Sequence, residues 1–269
     1  MRRPAPAVRL VALVSLCAGG GLTGLTGCSD DATTSAPSTT GTTVPGRPIT
    51  PDEAGRLADT LLNNNEAGGA SVTAVVPYGV ATISLNGDID WKDHVGRVHL
   101  HSEVTGNDTT TGTGTGAAGD FDIVWTSTVV VQPLAGLADA LRTAGLPAAS
   151  WVSVPLDPTT SPLHVVLGLI TSASSIQRDN PIGLLSKDIR WLRSDTIDGT
   201  AVDVFNLGRS TYWVDASAVL HRIDAQLAST NSTAAITFSS HGARTIDTPA
   251  DVVAASDIPD IYARLSQPR

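Results

Sequence analysis

Apolar and polar positions alternate most regularly over residues 95–104, where Val98, Leu100 and Val104 point one way and Arg97, His99, His101 and Glu103 the other. That period of two predicts a strand with one face on a core and one in water. Residues 71–76 and 80–85 are β-branched-rich runs set apart by Pro77-Tyr78-Gly79, and with 95–104 they predict an antiparallel meander. Thr50-Pro51-Asp52-Glu53 starts a helix whose Leu57, Leu61 and Leu62 share a side, and Asn63-Asn64-Asn65 is expected to end it. Residues 121–125 and 128–131 return to strand after 107–119, a Thr/Gly stretch with too few apolar residues to fold.

The middle changes period. Residues 134–144, closed by Gly145, predict a short helix, and Ser161-Pro162 opens a second reaching about Ser174. Leu163, Val165, Val166, Leu167, Leu169 and Ile170 make that second helix apolar nearly all round, so it must be covered on most sides. Residues 180–185 add one more turn. Strands resume at 190–195, 201–207, 211–214, 219–227 and 234–239, with Asp198-Gly199 as a turn. In the run 219–227, Val219, Ile223, Ala225 and Leu227 are expected to oppose Leu220, Arg222, Asp224 and Gln226. Strands, helices, then strands without a βαβ rhythm predict an α+β fold with an antiparallel sheet.

The N-terminus carries a different signal. Met1-Arg2-Arg3 and Arg9 precede the apolar run 10–18, which breaks at Gly19-Gly20-Gly21, too short for a permanent span of roughly 20 residues. Leu25-Thr26-Gly27-Cys28 then resembles the bacterial lipobox. The resemblance implies that 1–27 is a lipoprotein signal peptide and that Cys28 is acylated, holding the protein on the outer face of the cell membrane by palmitate-class chains. Residues 28–50, rich in Thr, Ser and Pro, are expected to be a disordered tether with a reach of about 25 Å. Residues 51–269 are then a single domain.

Charge and cysteine usage narrow the function. Removing Arg2, Arg3 and Arg9 with the signal moves the formal charge from −9 to −12, which excludes nucleic acid as a partner. The two cysteines are Cys17, in the signal, and Cys28, so the domain has no thiol chemistry. At 4% aromatic the interior is expected to be aliphatic.

Leu85-Asn86-Gly87-Asp88-Ile89-Asp90, Asp198-Gly199-Thr200, Tyr212-Trp213-Val214-Asp215, Leu220-His221-Arg222 and 236–242, ending Ser239-Ser240-His241-Gly242 ahead of Pro249, fall in the same order as the elements. In that order, behind a lipobox, the chain resembles the actinobacterial LppX/LprG lipoproteins, whose fold is akin to the lipoprotein carrier LolA. The resemblance implies a strongly curved antiparallel sheet, a half-barrel, wrapped over apolar helices around a cavity for acyl chains. Val98, Leu100, Ile123, Trp125, Leu163, Val166, Leu167, Ile170 and Phe205 would line it. The same residues would equally form a solid core.

Candidate chemistry is sparse. His99 and His101 alternate on one strand face with Glu103, a possible metal pair short of a fourth ligand. Asp88, Asp90 and Asp93 lack the later spacing of a calcium loop. There is no G-x-S-x-G or S-x-x-K, since Ser186 is followed directly by Lys187. Trp91, Trp151, Trp191 and Trp213 fall at strand or loop edges, where they bound a core or ring a mouth. The expectation is a non-enzymatic, monomeric lipoprotein with no cofactor and no metal, whose partners are the membrane and the acyl chains of a lipid or glycolipid that it binds for lipid transport within the envelope. The alternatives are an envelope scaffold with a filled core and a secreted hydrolase.

Overall fold

The computed structural model describes residues 46–104, 120–159, 161–228 and 231–267. The signal 1–27, Cys28, most of the tether and the stretch 107–119 lie outside the described residues.

Five helices and thirteen strands are present among the described residues. After β1 (Arg47–Pro48) and α1 (Pro51–Ala67), a meander runs through β2 (Gly69–Tyr78), β3 (Ala81–Asp90), β4 (Val95–Val104), β5 (Asp120–Trp125) and β6 (Val129–Pro133). The middle holds α2 (Leu137–Thr143), β7 (Trp151–Pro155), α3 (Pro162–Ser172) and α4 (Pro181–Leu185). A second meander follows in β8 (Arg190–Ile197), β9 (Thr200–Asn206), β10 (Ser210–Asp215), β11 (Leu220–Leu227) and β12 (Ser232–Ser239). β13 (Val252–Ala254) and α5 (Pro259–Leu265) close the chain.

All the strands join one open, curved sheet in the order β1-β8-β9-β10-β11-β12-β2-β3-β4-β5-β6-β7-β13. The two meanders meet where β12 pairs with β2, and every neighbouring pair is antiparallel except β7 and β13. The fold is therefore α+β, as the order of runs predicts.

Register gives the sheet its interior. Trp191 lies opposite Phe205, which lies opposite Tyr212, and the line continues through Ile223, Ile236, Ala74, Leu85, Leu100 and Phe121. One row thus crosses nine strands without a polar side chain. Beside it a second row runs Phe238, Val72, Gly87, Val98 and Ile123. Because successive side chains alternate between faces, the other face carries Arg97, His99, His101 and Glu103, as the period of two requires.

α1 and α3 pack on the apolar face. α1 is opened by a capping box between Thr50 and Glu53 and closed by Gly68 in the left-handed region (φ 92°). It outlasts the expected stop at Asn63 because Asn64 and Asn65 turn inward, and the Asn64 Nδ2 donates to the Ala173 carbonyl at 2.7 Å. Two more donors meet the same end of α3: Trp91 Nε1 to the Ile170 carbonyl at 3.0 Å and Trp125 Nε1 to Thr171 Oγ1 at 2.9 Å. Two carbonyls at that end, those of Ile170 and the C-cap Ala173, are thereby answered.

Three expectations are corrected. Trp91 directly follows the end of β3, as expected, but is fully buried rather than at a core boundary or mouth, tilted against Phe238 at 5.6 Å. Leu220, not Val219, joins the apolar side of β11, because the pairing with β10 shifts between Trp213 and Val214 and sets Leu220 opposite Val214. β1, β7, β13 and α5 were not expected, and β1, by pairing with β8, gives order to the last residues of the stretch 28–50 expected to be a disordered tether. β13 has only three residues, all half-buried, and draws its order from pairing with β7.

Trp125 lies flat over Gly96, the residue opposite it on β4, and a Cβ there would enter the indole ring. Gly96→Ala forces the buried indole to move, at about 1–3 kcal/mol, or about 2–12 °C in melting temperature for a domain of this size. Thermal unfolding followed by circular dichroism reads the drop; an unchanged midpoint would contradict the packing.

Candidate apolar binding face

The nine expected lining residues are brought into one continuous cluster. Val98, Leu100, Ile123 and Trp125 come from β4 and β5, Phe205 from β9, and Val166, Leu167 and Ile170 from α3. These eight are each 4% exposed or less, and six of them, Ile123, Trp125, Val166, Leu167, Ile170 and Phe205, have no surface that a water molecule can reach. Leu163, in the first turn of α3, is half-buried against the same cluster.

The accessible part of this apolar surface lies around the cluster. Tyr78, Phe121, Leu156, Leu163, Leu207 and Tyr212 pack on it while keeping partial access. Both ends of the nine-strand row, Trp191 and Phe121, belong to this half-buried set. Burial pushes the Tyr212 phenol up, which marks a neutral hydroxyl held among apolar neighbours. The accessible residues could be found in the sequence only as chain-end positions of apolar runs, a signal shared with any core boundary.

One charged group enters the apolar face. Asp203 points inward from β9 and accepts from Trp191 Nε1 (2.9 Å), Arg56 (2.6 Å) and Ser194 Oγ (2.9 Å). Burial pushes its pKa up, and the hydrogen bonds from Trp191, Arg56 and Ser194 outweigh it, leaving the carboxyl below its usual range. Arg56 also stacks over Phe205 at 5.4 Å, so α1 is fastened to the row by its charged residue as well as its apolar ones.

Two surface cavities of about 320 and 350 Å³ lie elsewhere. One sits on the charged face among Asn86, Asp88, Arg97, His99, Asp122 and Arg244. The other lies between Leu141, Leu146, Ala149, Val253 and Ile258 near β13. On the charged face, His99 Nδ1 is 3.1 Å from Asp122, and His101 bridges Asp120 and, at 3.0 Å, Glu103. Each imidazole is thus committed to a carboxylate across the strand pair. Among the described residues no group of three or more His, Cys, Asp or Glu is placed to hold a metal ion. Asp88, Asp90 and Asp93 diverge: Asp88 pairs with Arg244 at 3.0 Å, while Asp90 turns back to accept from the backbone of Lys92 and Asp93.

Trp151 and Trp191 are half-buried, whereas Trp213 is buried on the opposite side of the sheet in a small cluster with Val202 and Val204. Of the four tryptophans expected at strand or loop edges, Trp191 alone belongs to the half-buried apolar rim. Among the described residues no helix is long and apolar enough to cross a membrane.

No family model matches the chain, and no curated protein matches it. Among solved structures, an uncharacterized conserved protein from Thermus thermophilus is similar at 11% identity, with 75% of this chain and 99% of that one covered and a TM-score of 0.37. A likeness at that score carries no argument about this chain.

Histidines separate the two faces of the molecule. Asp120 first and then Glu103 raise the His101 pKa, so its contribution to stability is present below the ordinary imidazole value and is lost as pH rises through the folded one. Burial depresses His164, whose Nδ1 accepts from the Asp157 amide, and also His241, which lies against Trp91 and His221. Their stability is present above the ordinary value and is lost as pH falls through it. Proton NMR of the imidazoles across about pH 4–9 is expected to show His101 titrating above free histidine and His164 and His241 below it; the reverse order would contradict both placements.

Proposed function

We propose that the chain is a membrane-anchored, non-enzymatic lipoprotein that takes up the acyl chains of a lipid or glycolipid against the apolar face of its sheet and passes them on within the cell envelope. The observation that carries this reading is the uninterrupted row from Trp191 to Phe121, which crosses nine strands and ends at each side in a half-buried aromatic. Acyl chains offer no hydrogen bonds, so a binding face for them needs area rather than a polar constellation. In this reading the curved sheet is a half-barrel folded over α1 and α3, as in LolA-like carriers.

The eight closed residues mean that a chain enters by displacing something. α3 is fastened at its C-terminal end by Trp91, Trp125 and Asn64, while Leu163 and Val165 toward its other end are half-buried. Swinging the first turns of α3 away from the sheet opens the row from the Leu163 side. A sixteen-carbon chain buried at about 0.8 kcal/mol per methylene gains roughly 10 kcal/mol before the costs of ordering and of parting α3 from its neighbours.

A second reading, an envelope scaffold with a filled core, is favoured by the near-zero exposure of those eight residues. Uptake by a variant separates the two. Leu163→Asp places a charge at the entrance without touching the pinned end of α3, and is expected to weaken uptake of a fluorescent fatty acid at least tenfold, about 1.4 kcal/mol, with little change in melting temperature. Thr73→Asp, on the opposite face, is the control. Full uptake by Leu163→Asp would contradict entry past the first turn of α3, and no uptake by the unaltered protein would contradict acyl binding.

The anchor has its own test. Intact-mass analysis of the protein extracted from its native membrane is expected to find an N-terminus at Cys28 carrying a diacylglyceryl group, and metabolic acyl labelling is expected to vanish in Cys28→Ala. A mature N-terminus elsewhere, or labelling that survives the substitution, would remove the anchor from the account.

A further inference from the structure

Three aliphatic side chains stand in water within ten residues of one another: Ile176 and Ile182, each 77% exposed, and Leu185 at 41%. Single exposed aliphatics are ordinary on a protein surface. These three are held outward by a strip that is itself tightly fastened. The Ser175 amide donates to the Leu61 carbonyl at 2.9 Å and the Asp179 amide to the Ala58 carbonyl at 3.0 Å, while the Arg178 guanidinium grips Asp59. Asn180 caps α4 by accepting from the Ile182 amide at 3.0 Å, and Leu184 and Ile189 turn inward to the core. The strip therefore lies along α1 with its apolar side chains sorted: Leu184 and Ile189 in, Ile176, Ile182 and Leu185 out.

Two features say what covers them. The first is the point where the preceding chain joins the domain. β1 pairs with the start of β8, Arg47 opposite Trp191, and Arg47 stacks on the Trp191 ring at 4.4 Å while it binds Glu53. Trp191 is six residues past Leu185, so Leu185 lies within roughly 20 Å of Trp191 along the chain. A tether of the kind expected from the sequence, from Cys28 to Gly46, reaches about 25 Å. A bilayer that holds Cys28 is thus within reach of the strip. The second is charge. Residues 173–192 carry Arg178, Lys187 and Arg190 against Asp179 and Asp188, and with Asp59, which Arg178 grips, the strip is net neutral in a chain whose formal charge is −9. This segment escapes the repulsion that anionic headgroups exert on the rest of the surface.

We propose that Ile176, Ile182 and Leu185 form a membrane-docking patch that enters the interfacial layer of the bilayer carrying the anchor. The proposal rests on the lipid-anchored reading above. Docking through this strip sets α1 and α4 toward the membrane and the charged face of the sheet, with His99, His101 and Asp122, toward the aqueous side. It converts a loose attachment into an oriented one.

The cysteine usage makes the test clean, since Cys17 and Cys28 are the two cysteines of the chain and the acylated Cys28 thiol is already alkylated. Ile176→Cys, Ile182→Cys and Leu185→Cys, each labelled with an environment-sensitive fluorophore on the mature acylated protein, are reconstituted in phosphatidylcholine–phosphatidylglycerol vesicles. Thr73→Cys, exposed on the opposite face of the sheet, is the reference. The expected result is a blue shift at the three patch positions and loss of their emission to a nitroxide-bearing lipid, with neither at position 73. Protein that floats with the vesicles while all probes report water overturns the patch and leaves the anchor standing. Protein that does not float overturns both. A blue shift that needs no vesicles and grows with protein concentration means that a second copy covers the patch, and also overturns the proposal.

Discussion

A sheet can present a continuous apolar face only if every strand in it keeps its phase with its neighbours, because a slip of one residue turns every side chain to the other side. In this protein the phase holds across nine strands, from Trp191 to Phe121, and passes through the junction where Ile236 of the second meander meets Ala74 of the first. The rest of the interior follows from that row. α1 and α3 pack against it, Arg56 and Asp203 are half-buried together beside Phe205, and the indoles of Trp91 and Trp125 reach from the sheet to the end of α3. Gly87 and Gly96 matter for the same reason, since each stands where a side chain would meet a neighbouring backbone or ring.

The opposite face shows what the same register does with charge. Arg97, His99, His101 and Glu103 come to lie beside Asp120 and Asp122, and each cation finds a carboxylate across the β4–β5 pair. Exposed pairs of this kind contribute little to stability. Their effect is on the outer surface, which is kept polar and acidic, so that the apolar face is the one suited to hydrocarbon. Depression of His164 and His241 by burial and elevation of His101 by its acidic neighbours mark the two sides of one partition.

Much of this was legible in the residues. The period of two in 95–104 and the all-round apolar run 163–170 identified β4 and α3, and eight of the nine chosen lining residues reached the same closed cluster because both signals arise from burial. What escaped has physical causes. The bulge between β10 and β11 moves Leu220 to the apolar side, and a bulge leaves no mark in hydrophobic pattern alone. β13 is ordered by pairing with β7, about a hundred residues earlier, a pairing that local composition does not encode. Asn64 and Asn65 extend α1 because a tertiary partner, the Ala173 carbonyl, outweighs a local stop. Burial also explains why residues could be assigned to the apolar face more readily than the face could be judged open or closed: a lining residue and a core residue have the same chemistry, and what differs is whether α3 yields.

Whether α3 yields to an acyl chain is therefore the central claim, and native mass spectrometry of the protein purified from the cells that make it and exchanged into detergent-free buffer tests it most directly. The account predicts a population heavier than the acylated chain by the mass of one lipid or glycolipid, released on activation in the gas phase. A single species at the mass of the acylated chain, unchanged after incubation with lipid vesicles, would contradict it.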